Sequence, residues 1–361
     1  MTGEALSVGN TPLVQIRYLS PQHAPNIKVW AKMEKENPTG SVKDRIAKAM
    51  IDDVVRKNQQ GAKIDTIVEA SSGNTASSDA LFARESGFKC VIVIPYKTSR
   101  EKEELTKSFG ATVIRAEEWQ NYMQLAREFA AAAGERAVFL NQYDNPLNAQ
   151  AHYEGLGPEI TRDMGGRRIH AFIAAGSTGG TISGVGKWLK EYDERTQIIL
   201  ADPYWSVLYD EFYKSRAMPE MAIFSDRNPC IGESVIEGAG KKSVPGNMDF
   251  SVIDRAVKFP DAYAVRLKAF LEILEMPDFE TALKDPNFKT DGLSIGGSAA
   301  GCAWVAREIA DEYAQGPWRE EDINIVIIAA DGGEKYESKL GNAAWRDSLV
   351  FGALQAENIF R

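Results

Sequence analysis

Short apolar segments alternate with amphipathic ones along this chain, and that alternation limits its possible folds more than any other feature. Residues 91–95 and 112–115 have the apolar, β-branched composition of strands, and a helix-like stretch, residues 100–109, lies between them. Residues 198–203 and 323–328 are apolar on both faces, as buried parallel strands are. The pattern predicts an α/β protein, and 361 residues are enough for two domains with a large core.

One lysine occupies a position that suits Schiff-base chemistry. Lys43 follows a Pro/Gly turn within residues 37–45 and precedes apolar residues at four-residue spacing, namely Ile46, Met50 and Val54. This spacing predicts a helix with one buried stripe and with Lys43 in its first turn. Unpaired amide dipoles at that end disfavour an ammonium ion, which biases the amine toward its neutral, nucleophilic form. Alone, Lys43 is better explained as one solvated charge among 42 lysines and arginines.

Two polar segments that contain glycine follow Lys43 along the chain. Residues 70–75 are the first, and residues 176–181 are the second. The second lies between the apolar run 171–175 and a helix-like pattern, so it predicts a strand, a Gly/Thr loop and a helix. Such a junction binds phosphate through backbone amides and hydroxyls. Its spacing matches neither the dinucleotide motif nor the P-loop motif, which disfavours a nucleotide site. By itself the loop is equally well explained as a structural turn.

The ordered set of these motifs closely resembles the cysteine synthase / cystathionine β-synthase family of pyridoxal-phosphate enzymes, which has the tryptophan synthase β-like type II fold. The resemblance extends from Gly9 to about Tyr336. It implies a two-domain fold in which each domain is a twisted, mostly parallel sheet flanked by helices. It also implies pyridoxal 5′-phosphate as the cofactor, with Lys43 as the catalytic residue that holds it.

The resemblance assigns the remaining site residues to two groups. The cofactor contacts that it implies are Asn74 beside the 3′-oxygen, Ser177, Thr178, Gly179, Gly180 and Thr181 around the phosphate, and Ser298 facing the pyridine nitrogen. The substrate contacts that it implies are Ser71, Ser72, Gly73 and Thr75 in the carboxylate loop, Gln142 as a second carboxylate contact, and Gly238 in the loop at the entrance. No metal site is expected, because His23, His152 and His170 show no metal-ligand spacing.

The chain departs from the family pattern at three places. Ser177 replaces a glycine of the phosphate loop but keeps its backbone amide, so cofactor binding is expected to survive. Ala76 also replaces a glycine, and its added methyl group is expected to bear on substrate choice. The entrance loop carries Lys241 and Lys242 in an otherwise acidic chain, which suggests a preference for an anionic donor or nucleophile.

The resemblance implies β-replacement on an O-activated serine through an aminoacrylate intermediate. The serine at position 298 cannot keep the pyridine nitrogen protonated as a carboxylate would, which favours β-elimination over transamination or racemisation. Cysteine synthase, using O-acetylserine or O-phosphoserine plus sulfide, is the leading hypothesis. The alternatives are cystathionine β-synthase, using serine plus homocysteine, and a specialised synthase using another nucleophile such as an amine or thiosulfate. A catalytically silent binding or regulatory paralogue is the alternative from a different class.

The resemblance also implies the domain organisation and the assembly. Residues 1–46 and 156–361 are expected to form the large cofactor-binding domain, and residues 47–155 the small mobile substrate-binding domain, in a homodimer. The net charge of −9 disfavours a nucleic-acid partner, and no apolar segment suggests a membrane partner. The isolated, odd-numbered cysteines, Cys90, Cys230 and Cys302, favour a reducing compartment, so a cytoplasmic location is expected.

Overall fold

The structure is a computed structural model that describes residues 6–21, 24–218, 234–274, 293–316 and 322–336. Its strands are β1 (Leu13–Gln15), β2 (Ile27–Met33), β3 (Thr66–Ala70), β4 (Lys89–Ile94), β5 (Thr112–Arg115), β6 (Ala137–Phe139), β7 (Ala171–Ala175), β8 (Gln197–Pro203), β9 (Arg255–Phe259) and β10 (Ile323–Ala329). Its α-helices are α1 (Lys43–Gln59), α2 (Asn74–Glu85), α3 (Arg100–Ser108), α4 (Tyr122–Ala132), α5 (Leu147–Ala151), α6 (Gly157–Asp163), α7 (Gly180–Tyr192), α8 (Leu208–Ser215), α9 (Asp261–Leu274) and α10 (Gly297–Gln315). Short 3₁₀ turns occur at Arg17–Leu19, Glu34–Glu36, Gly134–Arg136, Phe250–Val252 and Gly333–Tyr336, and a π-helical turn at His152–Leu156.

The strands form two sheets, and nearly all neighbours run parallel. The six-stranded sheet has the order β1-β2-β10-β7-β8-β9, in which only the β1–β2 pair is antiparallel. The four-stranded sheet has the order β5-β4-β3-β6 and is parallel throughout. The α/β expectation is therefore confirmed, and the strands expected at residues 91–95, 112–115, 198–203 and 323–328 correspond to β4, β5, β8 and β10.

The centre of the six-stranded sheet explains its apolar sequence. Strand β10 lies between β2 and β7, and every residue of Ile323–Ala329 is buried. Helix α10 packs on this sheet with small residues, and Gly301 lies so close to Phe259 that an added Cβ would clash with the ring. Apolar strands covered on both faces are expected of parallel sheets, because the connecting helices lie on both faces.

Helix α1 connects β2 of the larger sheet to β3 of the smaller one, and its packing fixes the position of its first residue, Lys43. Its stripe of Ile46, Met50 and Val54 is buried in the core of the smaller sheet, as the sequence predicts. In its first turn, Arg45 donates to Glu34 (Nε to Oε2, 2.6 Å) and to Glu159 (Nη1 to Oε1, 2.8 Å). These buried ion pairs raise the pKa of Arg45 and join the start of α1 to α6. Helix α1 is continuous across residues 46 and 47, where the boundary between the two domains is expected.

Several expectations concern residues away from this framework. Cys90 and Cys302 are both buried free thiols, whereas Cys230 and His23 lie outside the described residues. In the part of the chain that the structure describes, no helix has the length and apolar character needed to cross a membrane.

Candidate functional site

Lys43 lies where the carboxyl end of β10 meets the start of α1. The backbone N–H of Val42 donates to the carbonyl of Ala330 at 2.8 Å, and Ser41 forms an isolated bridge with Asp331. The chain therefore turns into α1 at the carboxyl edge of the central parallel strand, which is where ligands bind in open α/β sheets.

A cleft of about 410 Å³, including its open mouth, surrounds Lys43. The expected site residues that line it are Lys43, Ser177, Thr178, Gly179, Thr181, Gly238 and Ser298. The apolar part of the lining comes from Val42, Ala174, Ala175, Cys302, Ile328 and Ala330. Residues from five separate parts of the chain thus meet around one amine.

Burial lowers the pKa of Lys43 from 10.5 to about 8. The sequence suggested the helix dipole as the cause, but desolvation is the largest effect in the structure. The charge of Asp331 opposes it, and the charge of Lys241 adds to it. A substantial fraction of neutral amine is therefore present near physiological pH, as a nucleophile or a base requires.

In cofactor-free protein, we expect the reactivity of Lys43 toward trinitrobenzenesulfonate to rise with pH and to reach half its maximum at about pH 8. The sign follows from the lowered pKa, because only the neutral amine reacts. Quantifying the modified peptide against N-acetyl-lysine, an unperturbed amine with a pKa of about 10.4, would measure the difference. A Lys43 profile that coincides with that of N-acetyl-lysine would contradict the burial argument.

The Gly/Thr loop forms a tight cup at the start of α7. Gly179 precedes the helix with φ of +90°, and a Cβ there would lie 2.5 Å from the backbone nitrogen of Met248. A Cβ on Gly180 would clash with Asn148, whose side chain donates to Thr178 Oγ1 at 3.0 Å. Only glycine fits at either position, so the backbone N–H groups at the helix start remain open to a bound anion.

Ser298 lies in the first turn of α10 and lines the same cleft as this cup. Ser298 is 7% exposed and is one of the residues that line the cleft. The preceding Gly296 donates its backbone N–H to the carbonyl of Asp331 at 3.0 Å, which fixes the start of α10 beside the end of β10. The backbone that carries Ser298 is therefore held at the edge of the cleft.

Asn74 does not line the cleft but contacts a polar cluster beside it. Its Nδ2 donates to Asp331 at 2.6 Å, and Lys335 Nζ donates to its Oδ1 at 2.8 Å. Tyr336 also donates to Asp331. The sequence analysis missed Asp331, Lys335 and Tyr336 as site residues. The available signal was the position of Asp331, just beyond the carboxyl end of a buried parallel strand.

The carboxylate loop and Gln142 also lie outside the cleft lining, and hydrogen bonds connect them to it. Thr75 donates to Gln142 Oε1 at 2.7 Å, and Asn148 Nδ2 bonds both the carbonyl of Gln142 (2.7 Å) and Thr178 Oγ1. Ser71 and Ser72 are partly exposed and Gly73 is exposed. The loop therefore remains accessible beside the start of α2.

Ala76 has a different environment from the one expected. Its side chain is fully buried in the core of the smaller sheet, together with Ile46 and Ala80. Its methyl group therefore packs into the core behind the loop and makes no direct contact with the cleft, and its effect on substrate choice stays a prediction.

The two lysines of the entrance loop differ in position. Gly238 lines the cleft, and Lys241 Nζ donates to the hydroxyl of Tyr143 at 3.0 Å. Lys242 is exposed. Another residue of this loop, Glu237, forms an ion pair with Lys102 of α3.

Comparison with known proteins gives a consistent result. A family model described as pyridoxal-phosphate dependent enzyme matches residues 5–276. The cystathionine beta-synthase of Saccharomyces cerevisiae is 32% identical over 348 residues, which cover 94% of this chain and 62% of that protein. Cysteine synthase 1 of Emericella nidulans is 31% identical over 358 residues, covering 96% and 86%.

A solved structure has a similar fold. The crystal structure of O-ureido-L-serine synthase superposes with a TM-score of 0.74 and 27% identity, and the match covers 92% of each chain. The chain spans only 62% of the length of the cystathionine beta-synthases from Saccharomyces cerevisiae and Apis mellifera.

Proposed function

The chain belongs to the pyridoxal-phosphate dependent enzyme family that includes the cysteine synthases and cystathionine β-synthases, and from this premise we propose that it catalyses β-replacement on an O-activated serine. Its fold is the two-domain type II fold of that family. The leading assignment is cysteine synthase, acting on O-acetylserine or O-phosphoserine plus sulfide. The observation that carries the proposal is the single cleft in which Lys43, the Gly/Thr loop and Ser298 meet.

The residues of the cleft fit pyridoxal 5′-phosphate. The Gly/Thr cup, residues 177–181, presents helix-start N–H groups and hydroxyls to a phosphate, and it has no room for a Cβ at Gly179 or Gly180. Ser298 offers a neutral hydroxyl to a ring nitrogen, and Asn74 is held nearby through Asp331. When bound, the cofactor supplies an electron sink for the α-carbon of an amino acid.

Lys43 has two roles in this proposal. Its Nζ would hold the cofactor covalently, and as a free amine it would take the proton from the α-carbon of the substrate. Burial supports both roles because it lowers the pKa of Lys43 to about 8, so that part of the amine is neutral at physiological pH. Ser298 would place a neutral hydroxyl beside the ring nitrogen, and a neutral hydroxyl would not keep that nitrogen protonated as a carboxylate would.

The substrate carboxylate would bind at the start of α2. Ser71 and Ser72 would offer hydroxyls there, and Gly73 and Thr75 would offer backbone N–H groups. Gln142 is the second contact, and Thr75 holds its side chain in place at 2.7 Å. Such donors are what a carboxylate requires when it leaves water.

Replacing Gln142 by alanine should weaken amino-acid binding by about 1–3 kcal/mol, the usual range for a lost hydrogen bond to a charged group. Titrating the cofactor absorbance with the donor amino acid would measure the affinity. Thr75→Ala combined with Gln142→Ala should be less than additive, because the two side chains bond each other. Fully additive losses would argue against a shared carboxylate site.

A donor and acceptor matrix tests the proposed reaction. The enzyme is incubated with O-acetylserine, O-phosphoserine or serine, each with sulfide or homocysteine, and the amino-acid product is identified by mass spectrometry. Cysteine from an O-activated donor supports the leading assignment, whereas cystathionine from serine favours the cystathionine β-synthase alternative. If neither product forms, the remaining hypotheses are a synthase that uses another nucleophile and a catalytically silent paralogue.

The domain limits, the homodimer and the cytoplasmic location also belong to the proposal. We place the large domain at residues 1–46 and 156–361 and the small domain at residues 47–155. The positions of the six-stranded and four-stranded sheets support this division. The homodimer rests on family resemblance, and the free thiols of Cys90 and Cys302 support a reducing location.

A further inference from the structure

Lys241 is a fixed cation on the loop that lines the cleft. Its backbone N–H donates to Ser206 Oγ at 2.9 Å, and its carbonyl accepts from the N–H of Val207 at 2.9 Å. Its Nζ lies 3.0 Å from the hydroxyl of Tyr143 and 4.5 Å from the centre of that ring. Both the backbone and the ammonium group are therefore held in place.

The loop places this ammonium group between the two halves of the proposed site. Gly240 donates its N–H to the carbonyl of Gly176, directly before the phosphate cup, while Tyr143 directly follows Gln142. The charge of Lys241 also acts on Lys43, where it lowers the pKa of the amine. Lys241 is therefore near enough to the reactive lysine to act on its charge, and it follows Gly238, which lines the cleft, on the same loop.

Among the described residues, no carboxylate forms an ion pair with Lys241; its hydrogen-bonding partner is the neutral Tyr143. Glu69, which acts electrostatically on Tyr143, is buried and accepts the backbone N–H groups of Ala70 at 2.7 Å and Gln142 at 3.1 Å. By contrast, Lys102 at the same entrance is paired with Glu237. A partly buried ammonium group without a counter-charge attracts anions strongly, because little solvent screens it.

We propose that Lys241, oriented by Tyr143, binds an anionic group on one reactant beyond the α-carboxylate: a phosphate ester on the donor or a carboxylate on the nucleophile. This inference rests on the proposed β-replacement function and adds a substrate class to it. It also assigns different roles to two adjacent lysines, because Lys241 is half-buried and Lys242 is exposed. Burial lowers the pKa of Lys241 because it disfavours the charged form, and a bound anion would stabilise that charged form again.

The test compares matched reactants in the parent holoenzyme and in the variants Lys241→Gln, Lys241→Arg and Lys242→Gln. The donor arm compares kcat/KM for O-phosphoserine and O-acetylserine at fixed sulfide. The acceptor arm compares mercaptoacetate with the neutral thiol 2-mercaptoethanol, using O-acetylserine as donor. Titration of the cofactor absorbance with each donor gives a dissociation constant as a readout independent of turnover.

We expect Lys241→Gln to lower the ratio of kcat/KM for the anionic reactant to kcat/KM for its neutral partner by about tenfold or more in one arm. The ratio is the readout because the charge of Lys241 also acts on Lys43 and can change turnover of both reactants alike. In the donor arm, the dissociation constant of O-phosphoserine should change in parallel. Lys241→Arg should retain most of the preference, and Lys242→Gln should match the parent. Retained turnover of the neutral reactants shows that the variants are folded.

Three results would overturn the inference. Ratios unchanged by Lys241→Gln in both arms would remove the anion subsite, and equal losses for both donors would instead make Lys241 an α-carboxylate contact. Equal effects of Lys241→Gln and Lys242→Gln would reduce the preference to general surface charge. Each leaves β-replacement intact, whereas absence of turnover with every reactant in the parent enzyme would reject the proposed function itself and the inference with it.

Discussion

Replacement of Lys43 by alanine should lower turnover by at least about 10³-fold, within the range for loss of a positioned acid–base group. The variant loses both the amine that attaches the cofactor and the base beside the substrate α-carbon. The void should change stability little, because the side chain of Lys43 lines the cleft and is not packed in an apolar core cluster. Steady-state assays with O-acetylserine and sulfide, together with thermal unfolding, would separate the two effects.

Lys48 provides the matched control for this variant. It lies on the same helix, its side chain is 44% exposed, and it pairs with Asp52 on the surface. Lys48→Ala should retain parental turnover, since an exposed ion pair contributes at most about 1 kcal/mol to stability. Substantial turnover by a correctly folded Lys43→Ala variant would contradict the assignment of Lys43.

Gly179→Ala should destabilise the protein by about 2–5 kcal/mol and abolish tight cofactor binding. A residue with φ of +90° is strained by about 1–2 kcal/mol when it carries a Cβ, and crowding in a packed site adds about 1–3 kcal/mol. Here the new methyl group would lie 2.5 Å from the backbone of Met248, which cannot move aside like a side chain. Denaturant unfolding and cofactor titration measure the two effects.

Gly166→Ala isolates the contribution of the backbone angle. Gly166 has φ of +80°, but an added Cβ there would meet no atom within 4 Å. It should lose only the conformational part of the energy, about 1–2 kcal/mol, and should bind the cofactor normally. Cofactor affinity in Gly179→Ala equal to that in Gly166→Ala would mean that the Gly/Thr loop is not the phosphate site.

The parts of the fold that depend on local sequence could be predicted. The four-residue spacing of Ile46, Met50 and Val54 identified α1 because a helix brings such residues onto one face. Apolar runs likewise identified β8 and β10, since strands covered on both faces have no polar alternation. These signals lie within one element and do not depend on the rest of the chain.

The polar surroundings of Lys43 could not be predicted in the same way. The bond between Asn74 and Asp331 joins residues 257 positions apart, and that between Lys241 and Tyr143 joins residues 98 apart. Nothing in the local sequence distinguishes Lys241 from Lys242, since only the course of the loop decides which ammonium group meets Tyr143. The cause of the lowered Lys43 pKa was missed for the same reason, because burial is a property of the assembled cleft.

Borohydride reduction of the holoenzyme, followed by proteolysis and peptide mapping, tests the central claim most directly. Reduction makes the link between cofactor and lysine permanent, so the labelled peptide identifies the attachment site without any assumption about substrate. We expect a pyridoxyl group on Lys43, in the peptide that contains residues 40–45, at one group per chain. A pyridoxyl group on any other lysine, with Lys43 unlabelled, would contradict it.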